Sequence, residues 1–262
     1  MKNDIGRHLK KLFSMENQTA LITGSSRGLG FEFAGALGKA GAKIILNGRD
    51  EKALVSARDR LLADGIDADY AIFDVTKSDE IDSAVTGIEG NGDTIDILIN
   101  NAGLNIRGPI VDFAEEDWHK VINTNLTSVF LVSKRVVRGM LNRGSGKIIC
   151  TGSMQCAHAR KNIAPYGAAK GGLKMLIQSM ATDFGEYNIQ VNGIGPGYFK
   201  TEMTRALYED HDFDQWICSR TPMGRWGNTD EMLGLITYLA SPASSFTTGQ
   251  IFYVDGGILA TL

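Results

Sequence analysis

The sequence predicts a single α/β domain built on a doubly wound, seven-stranded parallel sheet. Three observations lead there. The chain has 262 residues, 43% of them apolar and 22% charged, enough to bury one large core in water. From Gln18 onward, short apolar or β-branched runs alternate with longer stretches rich in Ala, Leu, Glu and Lys, the pattern of repeated βαβ units. The runs are also continuously apolar, with no strict alternation, as in strands covered by helices on both faces.

Taken in order, residues 1–14 carry Lys2, Arg7, Lys10 and Lys11 with no apolar run or small-residue cleavage site behind them, so they read as a polar arm and not a targeting segment. The domain is expected over residues 15–262. Strands are expected at residues 20–23, 43–46, 70–73, 95–99, 147–150, 189–192 and 251–254. Ser78-Asp79-Glu80 and Asn228-Thr229-Asp230-Glu231 read as helix starts, with acidic residues in the first turn. Residues 201–225 hold Tyr208, His211, Phe213 and Trp216 in a connection longer than a usual βα loop, which suggests a helical lid.

Thirty-one glycines against only 5 prolines depart from the roughly 18 and 13 that average usage gives. That skew points to backbone that turns sharply or approaches a ligand closely. A net charge of -3 argues against nucleic acid or an anionic membrane as a partner, and no apolar stretch nears the ~20 residues of a membrane helix. Cys150, Cys156 and Cys218 are three cysteines without a paired C-x-x-C motif. Neither a disulfide framework nor a zinc site is expected, and a reduced cytoplasm is the expected compartment.

Residues 23–30 read Thr-Gly-Ser-Ser-Arg-Gly-Leu-Gly, directly after the first expected strand and at the start of a helix carrying Phe31, Phe33, Ala34 and Leu37. Glycines there allow a tight turn and close approach of a pyrophosphate to backbone N–H groups, while the helix N-terminus adds positive potential. A merely structural glycine turn remains the alternative for the glycines alone. Their place after the first strand favours dinucleotide binding on a Rossmann-type fold.

The Thr-Gly-x-x-x-Gly-x-Gly spacing resembles the short-chain dehydrogenase/reductase family. So do Asn100-Asn101-Ala102-Gly103 after the fourth strand, Tyr166-Gly167-Ala168-Ala169-Lys170 after the fifth, and Gly195-Pro196-Gly197 after the sixth. The resemblance covers nearly the whole chain. By motif position it implies a catalytic set of Asn125, Ser153, Tyr166 and Lys170. It also implies cofactor contacts from Gly24, Ser26, Arg27, Gly28, Leu29, Gly30, Asp74, Val75, Asn101, Ala102, Gly103, Pro196, Gly197, Phe199 and Thr201, together with Tyr166 and Lys170.

An acid at the end of the second strand would favour NAD, but the chain has Asn47-Gly48-Arg49 there. Arg49 and Arg27 suit a 2'-phosphate, so NADP is the expected cofactor. Tyr166 and Lys170, four apart, share a helix face. In ketone reduction Tyr166 would protonate the substrate oxygen, Ser153 would polarise it, and Asn125 would support a water leading to Lys170. The Lys170 ammonium, aided by oxidised nicotinamide, is expected to lower the Tyr166 pKa from its free value near 10.

Within the family, Ser153-Met154-Gln155, residues 165–171, 188–194 and 196–203, Arg220-Thr221-Pro222 and Arg225-Trp226-Gly227 are similar to the gluconate 5-dehydrogenase branch. That similarity implies interconversion of D-gluconate and 5-dehydro-D-gluconate in a cytoplasmic homotetramer, with Asp255-Gly256-Gly257 at a subunit contact. A sugar acid needs a cation for its carboxylate and polar groups for its hydroxyls. Arg107 is the candidate clamp and Gln155 a candidate hydroxyl reader beside Ser153 and Tyr166, with His158 and Arg160 as further candidates. Other activities of the family, on a 3-oxoacyl carrier protein or another polyol or sugar acid, are alternatives. A non-enzymatic NADP sensor is an alternative of a different class.

Overall fold

The computed structural model describes residues 2–261. Helix α1 (Lys2–Phe13) precedes β1 (Thr19–Ile22), α2 (Gly28–Lys39), β2 (Lys43–Gly48), α3 (Glu51–Ala63), β3 (Ala68–Ile72), α4 (Ser78–Gly90) and β4 (Ile97–Asn100). Then come α5 (Glu115–Ile122), α6 (Ser128–Arg143), β5 (Gly146–Thr151), α7 (Ala164–Phe184), β6 (Ile189–Pro196), α8 (Arg205–Tyr208), α9 (His211–Arg220), α10 (Leu233–Ala240) and β7 (Ile251–Val254).

All seven strands are parallel, in the order β3-β2-β1-β4-β5-β6-β7. The expected doubly wound sheet is therefore present. The central strands are mostly apolar because successive side chains serve opposite faces, both of them covered. In β1, Ala20 and Ile22 pack with Phe33, Leu37, Leu54 and Ile236 on one side, while Leu21 packs with Ile81, Val85, Val132 and Ile177 on the other. After β3 the chain returns to lay β4 on the far side of β1. The loops leaving β1 and β4 consequently diverge and open a crevice at the carboxyl ends of the strands.

Three details differ from expectation. β6 runs to Pro196, past the polar Asn192 where the apolar run ends, because Asn192 is buried with its amide satisfied: Nδ2 donates to the Thr247 carbonyl at 2.6 Å and Oδ1 accepts from Gln250 N at 3.2 Å. α4 starts at Ser78 with Asp79 and Glu80 in its first turn, as expected, but Lys77 is the cap and no side chain closes it, and Glu80 folds back to accept from Asp74 N at 2.7 Å. The Asn228–Glu231 capping box does form, but it opens a 3-10 turn (Thr229–Met232) that leads into α10.

Residues 1–14, expected to be a polar arm, carry α1, and residues 201–225 hold a 3-10 turn (Glu202–Thr204), α8 and α9. Among the described residues no helix is long and apolar enough to cross a membrane.

Candidate active site

The glycine-rich turn is held by side chains of its neighbours. Asn47, buried at the end of β2, donates from Nδ2 to the carbonyls of Ala71 (3.3 Å) and Phe73 (3.0 Å), and its Oδ1 accepts from Gly24 N (3.3 Å). Ser25 Oγ donates to Ile22 O at 2.7 Å and accepts from Asn47 N at 3.0 Å. Thr23 Oγ1 accepts from the N–H groups of Asn101 and Ala102 at 2.9 and 3.0 Å. Asn101 in turn donates from Nδ2 to the Thr23 and Gly24 carbonyls, and its Oδ1 accepts from Thr151 Oγ1 at 3.3 Å. The exits of β1, β2, β4 and β5 are thus fixed relative to one another. Thr23 opens the glycine motif visible in the sequence, whereas the anchoring roles of Ser25 and Asn47 have no charge or periodicity to announce them.

Gly24 has φ 61°, and a Cβ there would lie 2.8 Å from Ala102 Cα. Gly28 has φ 60° and open space where its Cβ would point. Arg27 precedes α2 in extended backbone, with no side chain capping the helix and no acid in its first turn. The first N–H groups of α2 therefore face an open cradle without an internal acceptor, which fits a diphosphate. Ser26 and Leu29 are half-buried on this turn and Gly30 is buried behind it.

Arg27 and Arg49 are both highly exposed, and each has a carboxylate nearby: Glu202 at 3.9 Å and Asp74 at 3.5 Å, respectively. Asp74 also accepts from Thr76 N (2.9 Å) and Oγ1 (2.8 Å). Burial works to raise its pKa, but the Thr76 donors and Arg49 outweigh it and hold the carboxyl below its usual value. Val75 is buried in the core on the α4 side.

The chemical end lies across β4, β5 and β6. Ser153, two residues past β5, starts a 3-10 turn (Met154–Cys156); its hydroxyl accepts from Gln155 N at 3.3 Å and donates to Gln155 Oε1. Tyr166 stands in the first turn of α7, and Lys170 one turn later places Nζ 5.5 Å from the Tyr166 ring centroid. Lys170 is buried and donates to the Thr151 carbonyl at 2.7 Å.

Asn125 sits in a π-helical stretch (Asn123–Thr127) between α5 and α6, a feature that often marks a functional site. Its Nδ2 donates to the carbonyls of Leu104 (2.8 Å) and Val121 (2.9 Å), and its Oδ1 accepts from Leu104 N (3.3 Å). Both amide hydrogens are spent on main chain, so the Asn125 side chain offers a water acceptor capacity only. Gly103 lies against it: a Cβ there would be 2.9 Å from Asn125 Oδ1.

Without the nicotinamide, burial dominates the balance at Tyr166. Burial pushes the Tyr166 phenol up to about 12, although the Ser153 hydroxyl facing it favours the ionised form. Burial also brings Lys170 down to about 8. The ammonium is turned to the Thr151 carbonyl in the same low-dielectric interior, so the chain alone raises the Tyr166 pKa instead of lowering it.

Beyond β6, Gly197 N donates to Val254 O at 2.9 Å, and Phe199 is buried and bridges to Gly227. Thr201 shares a capping box with Thr204 ahead of α8. Tyr198, Phe213, Tyr208 and Trp226 form an aromatic cluster with edge contacts of 5.5 to 5.9 Å and one tilted contact of 6.4 Å between ring centroids, and Trp226 Nε1 donates to Asp214 at 2.8 Å. Arg107 stands exposed on the loop after β4, close enough to Arg160 to be affected by its charge.

Residues 24–259 match the family model described as enoyl-(acyl carrier protein) reductase, of the short-chain dehydrogenase type. The chain belongs to the short-chain dehydrogenase/reductase family. It is 47% identical over 251 residues to a gluconate 5-dehydrogenase of Gluconobacter oxydans, covering 96% of this chain and 98% of that protein. It is 46% identical over 253 residues to a 2-dehydro-3-deoxy-D-gluconate 5-dehydrogenase of Formosa agariphila, covering 96% of each chain. Among solved structures it is similar to a gluconate 5-dehydrogenase of Burkholderia cenocepacia in complex with NADP and tartrate, with a TM-score of 0.95 and 44% identity over 97% of this chain and 100% of that one.

Proposed function

We propose that the protein is an NADP-dependent oxidoreductase that interconverts D-gluconate and 5-dehydro-D-gluconate. The observation that carries the oxidoreductase reading is the meeting of Ser153, Tyr166 and Lys170 at the carboxyl end of the sheet, beside a glycine turn shaped for a diphosphate. The substrate follows from the near full-length similarity to the gluconate 5-dehydrogenase of G. oxydans.

Gly24, Ser26, Arg27, Gly28, Leu29 and Gly30 would hold the diphosphate, and Asp74 and Val75 the adenine. Arg27 and Arg49 would exchange Glu202 and Asp74 for the 2'-phosphate. Asn101, Ala102, Gly103, Pro196, Gly197, Phe199 and Thr201 would rim the nicotinamide end, where Lys170 holds the ribose. When bound, NADPH supplies the hydride for the ketone carbon. Tyr166 donates its phenolic proton to the substrate oxygen, and the Lys170 ammonium stabilises the phenolate left behind. The Ser153 hydroxyl turns from Gln155 to the same oxygen, which frees the Gln155 amide for a substrate hydroxyl. Asn125 accepts from a water that returns a proton toward Lys170.

Arg107 binds the carboxylate. Residues 201–225 act as the lid of a cofactor-binding domain spanning residues 15–262, with residues 1–14 outside it. The protein works as a cytoplasmic homotetramer, with Asp255-Gly256-Gly257 at a subunit contact.

The test is NADPH oxidation with 5-ketogluconate beside 2-ketogluconate, fructose and an acetoacetyl thioester, plus NADP reduction with D-gluconate and 2-dehydro-3-deoxy-D-gluconate. The 5-ketogluconate rate is expected to lead the reductive set, and equal or faster reduction of the thioester would overturn the reading. A second result concerns the cofactor. Arg49→Asp replaces a charge-assisted donor with a like charge facing the 2'-phosphate, and should raise the KM for NADPH by roughly tenfold or more while sparing NADH. Unchanged KM values for both cofactors would remove Arg49 from the phosphate site.

A further inference from the structure

Arg107 and Arg160 lie on different loops, after β4 and after Ser153, yet the structure draws them together. Gly108 N donates to the Asn162 carbonyl at 3.0 Å, and Asn162 turns its loop with φ 64°. That single main-chain bond ties the two loops within two residues of each arginine. Tyr198, just past β6, completes the group: its hydroxyl accepts from Arg160 Nη1 at 3.0 Å. The Arg160 guanidinium lies 4.8 Å from the Phe213 ring centroid and 5.8 Å from that of Tyr198. Among the described residues neither arginine forms an ion pair with a carboxylate.

Two like charges held on tied loops without a counter-ion repel each other, and partial desolvation with the Arg160 charge depresses the Arg107 pKa. Such a pair is stable when an anion joins it. The aromatic floor holds the Arg160 plane by cation–π stacking, which limits the rotamer freedom lost on binding. Of the two anionic partners this protein would meet, the cofactor's phosphates belong at the glycine turn beside β1. The arginine pair stands instead on the loops beside Ser153.

We propose that Arg160, stacked on Phe213 and donating to the Tyr198 hydroxyl, is the second arm of a two-arginine site that grips the carboxylate of the substrate with Arg107. Arg160 thereby joins the lid to substrate recognition, because Phe213 belongs to α9 and Tyr198 opens the segment that leads into the lid. The assignment rests on the sugar-acid reading for its natural ligand but not for its test.

The experiment pairs titration calorimetry of tartrate into the NADP-loaded protein with the kcat/KM ratio of 5-ketogluconate to fructose. Arg160→Gln is expected to weaken tartrate roughly tenfold or more and to lower that ratio by a similar factor, with Arg160→Lys recovering part of both. A purely structural strut for α9 would instead lower the thermal midpoint and leave tartrate affinity and the ratio where they were; that outcome overturns the proposal, as does a wild-type protein that binds no tartrate at millimolar concentration. If Arg160→Gln does not fold, Tyr198→Phe decides, since it keeps the ring and removes only the hydroxyl: severalfold weaker tartrate binding supports the site, and unchanged binding rejects it. Should wild type prefer fructose while tartrate binding still depends on Arg160, the gluconate reading fails and the anion site stands.

Discussion

Tyr166→Phe is expected to lower kcat for reduction of 5-ketogluconate by about 10²–10⁴-fold, the range for loss of a positioned general acid, while NADPH still binds with near wild-type affinity. The change removes one oxygen from a half-buried side chain and leaves its ring in place against α7. Stability should therefore hold, and fluorescence titration of NADPH separates binding from turnover. Near-normal turnover would remove Tyr166 from the chemistry. The raised phenol pKa of about 12 has a sign that can be checked. Reduction needs the protonated phenol, which the free chain keeps across the neutral range. Oxidation of D-gluconate needs the phenolate, so its rate at low substrate should climb with pH in the neutral range.

Lys170→Met is the second large effect, with kcat expected to fall by about 10²–10³-fold, as when a buried electrostatic donor is lost from a transition state. Methionine fills a similar volume without charge, so it removes both the cation that stabilises the Tyr166 phenolate and the donor to the Thr151 carbonyl at 2.7 Å. Leaving that carbonyl unsatisfied costs about 1–3 kcal/mol, offset in part because an ammonium no longer has to be buried. The pH dependence discriminates between roles. Lys170 has its pKa brought down from 10.5 to about 8 by burial, so it is charged below that value and neutral above it. Reduction by the wild-type protein should lose rate as pH rises through about 8, and the Lys170→Met profile should lack that step. A step retained in the variant would assign it to another group.

The parallel sheet was legible because continuous apolar runs spaced by helix-length stretches admit few arrangements, and β7 matches its expected bounds residue for residue. Strand ends were less legible wherever a buried polar side chain continues the ladder, as Asn192 does in β6. In the site, the approach of Tyr166 and Lys170 follows from a spacing of four on one helix, which a sequence displays directly. The grouping of Arg160, Tyr198 and Phe213 depends on two loops and α9 meeting in space, and no local pattern encodes it. The phenol pKa of the chain without nicotinamide was hidden for a related reason. Counting charges near Tyr166 in the sequence finds Lys170, but the burial that governs both groups appears only once the chain is folded.

The Asn47 amide also bears on redesign. A designer seeking an NAD-using variant would be drawn to an acid at the end of β2, and Asn47→Asp looks like the smallest such edit. Here it would be a poor choice. The Asn47 amide group donates to two carbonyls of the β3 strand and its exit, and its oxygen takes the Gly24 N–H. A carboxylate would confront those carbonyls with negative charge and loosen the turn that any dinucleotide, phosphorylated or not, has to use. At the end of β2 cofactor choice is adjustable only from Gly48 outward, so evolutionary drift there between the two nicotinamide currencies should run through positions 48 and 49 and leave Asn47 in place.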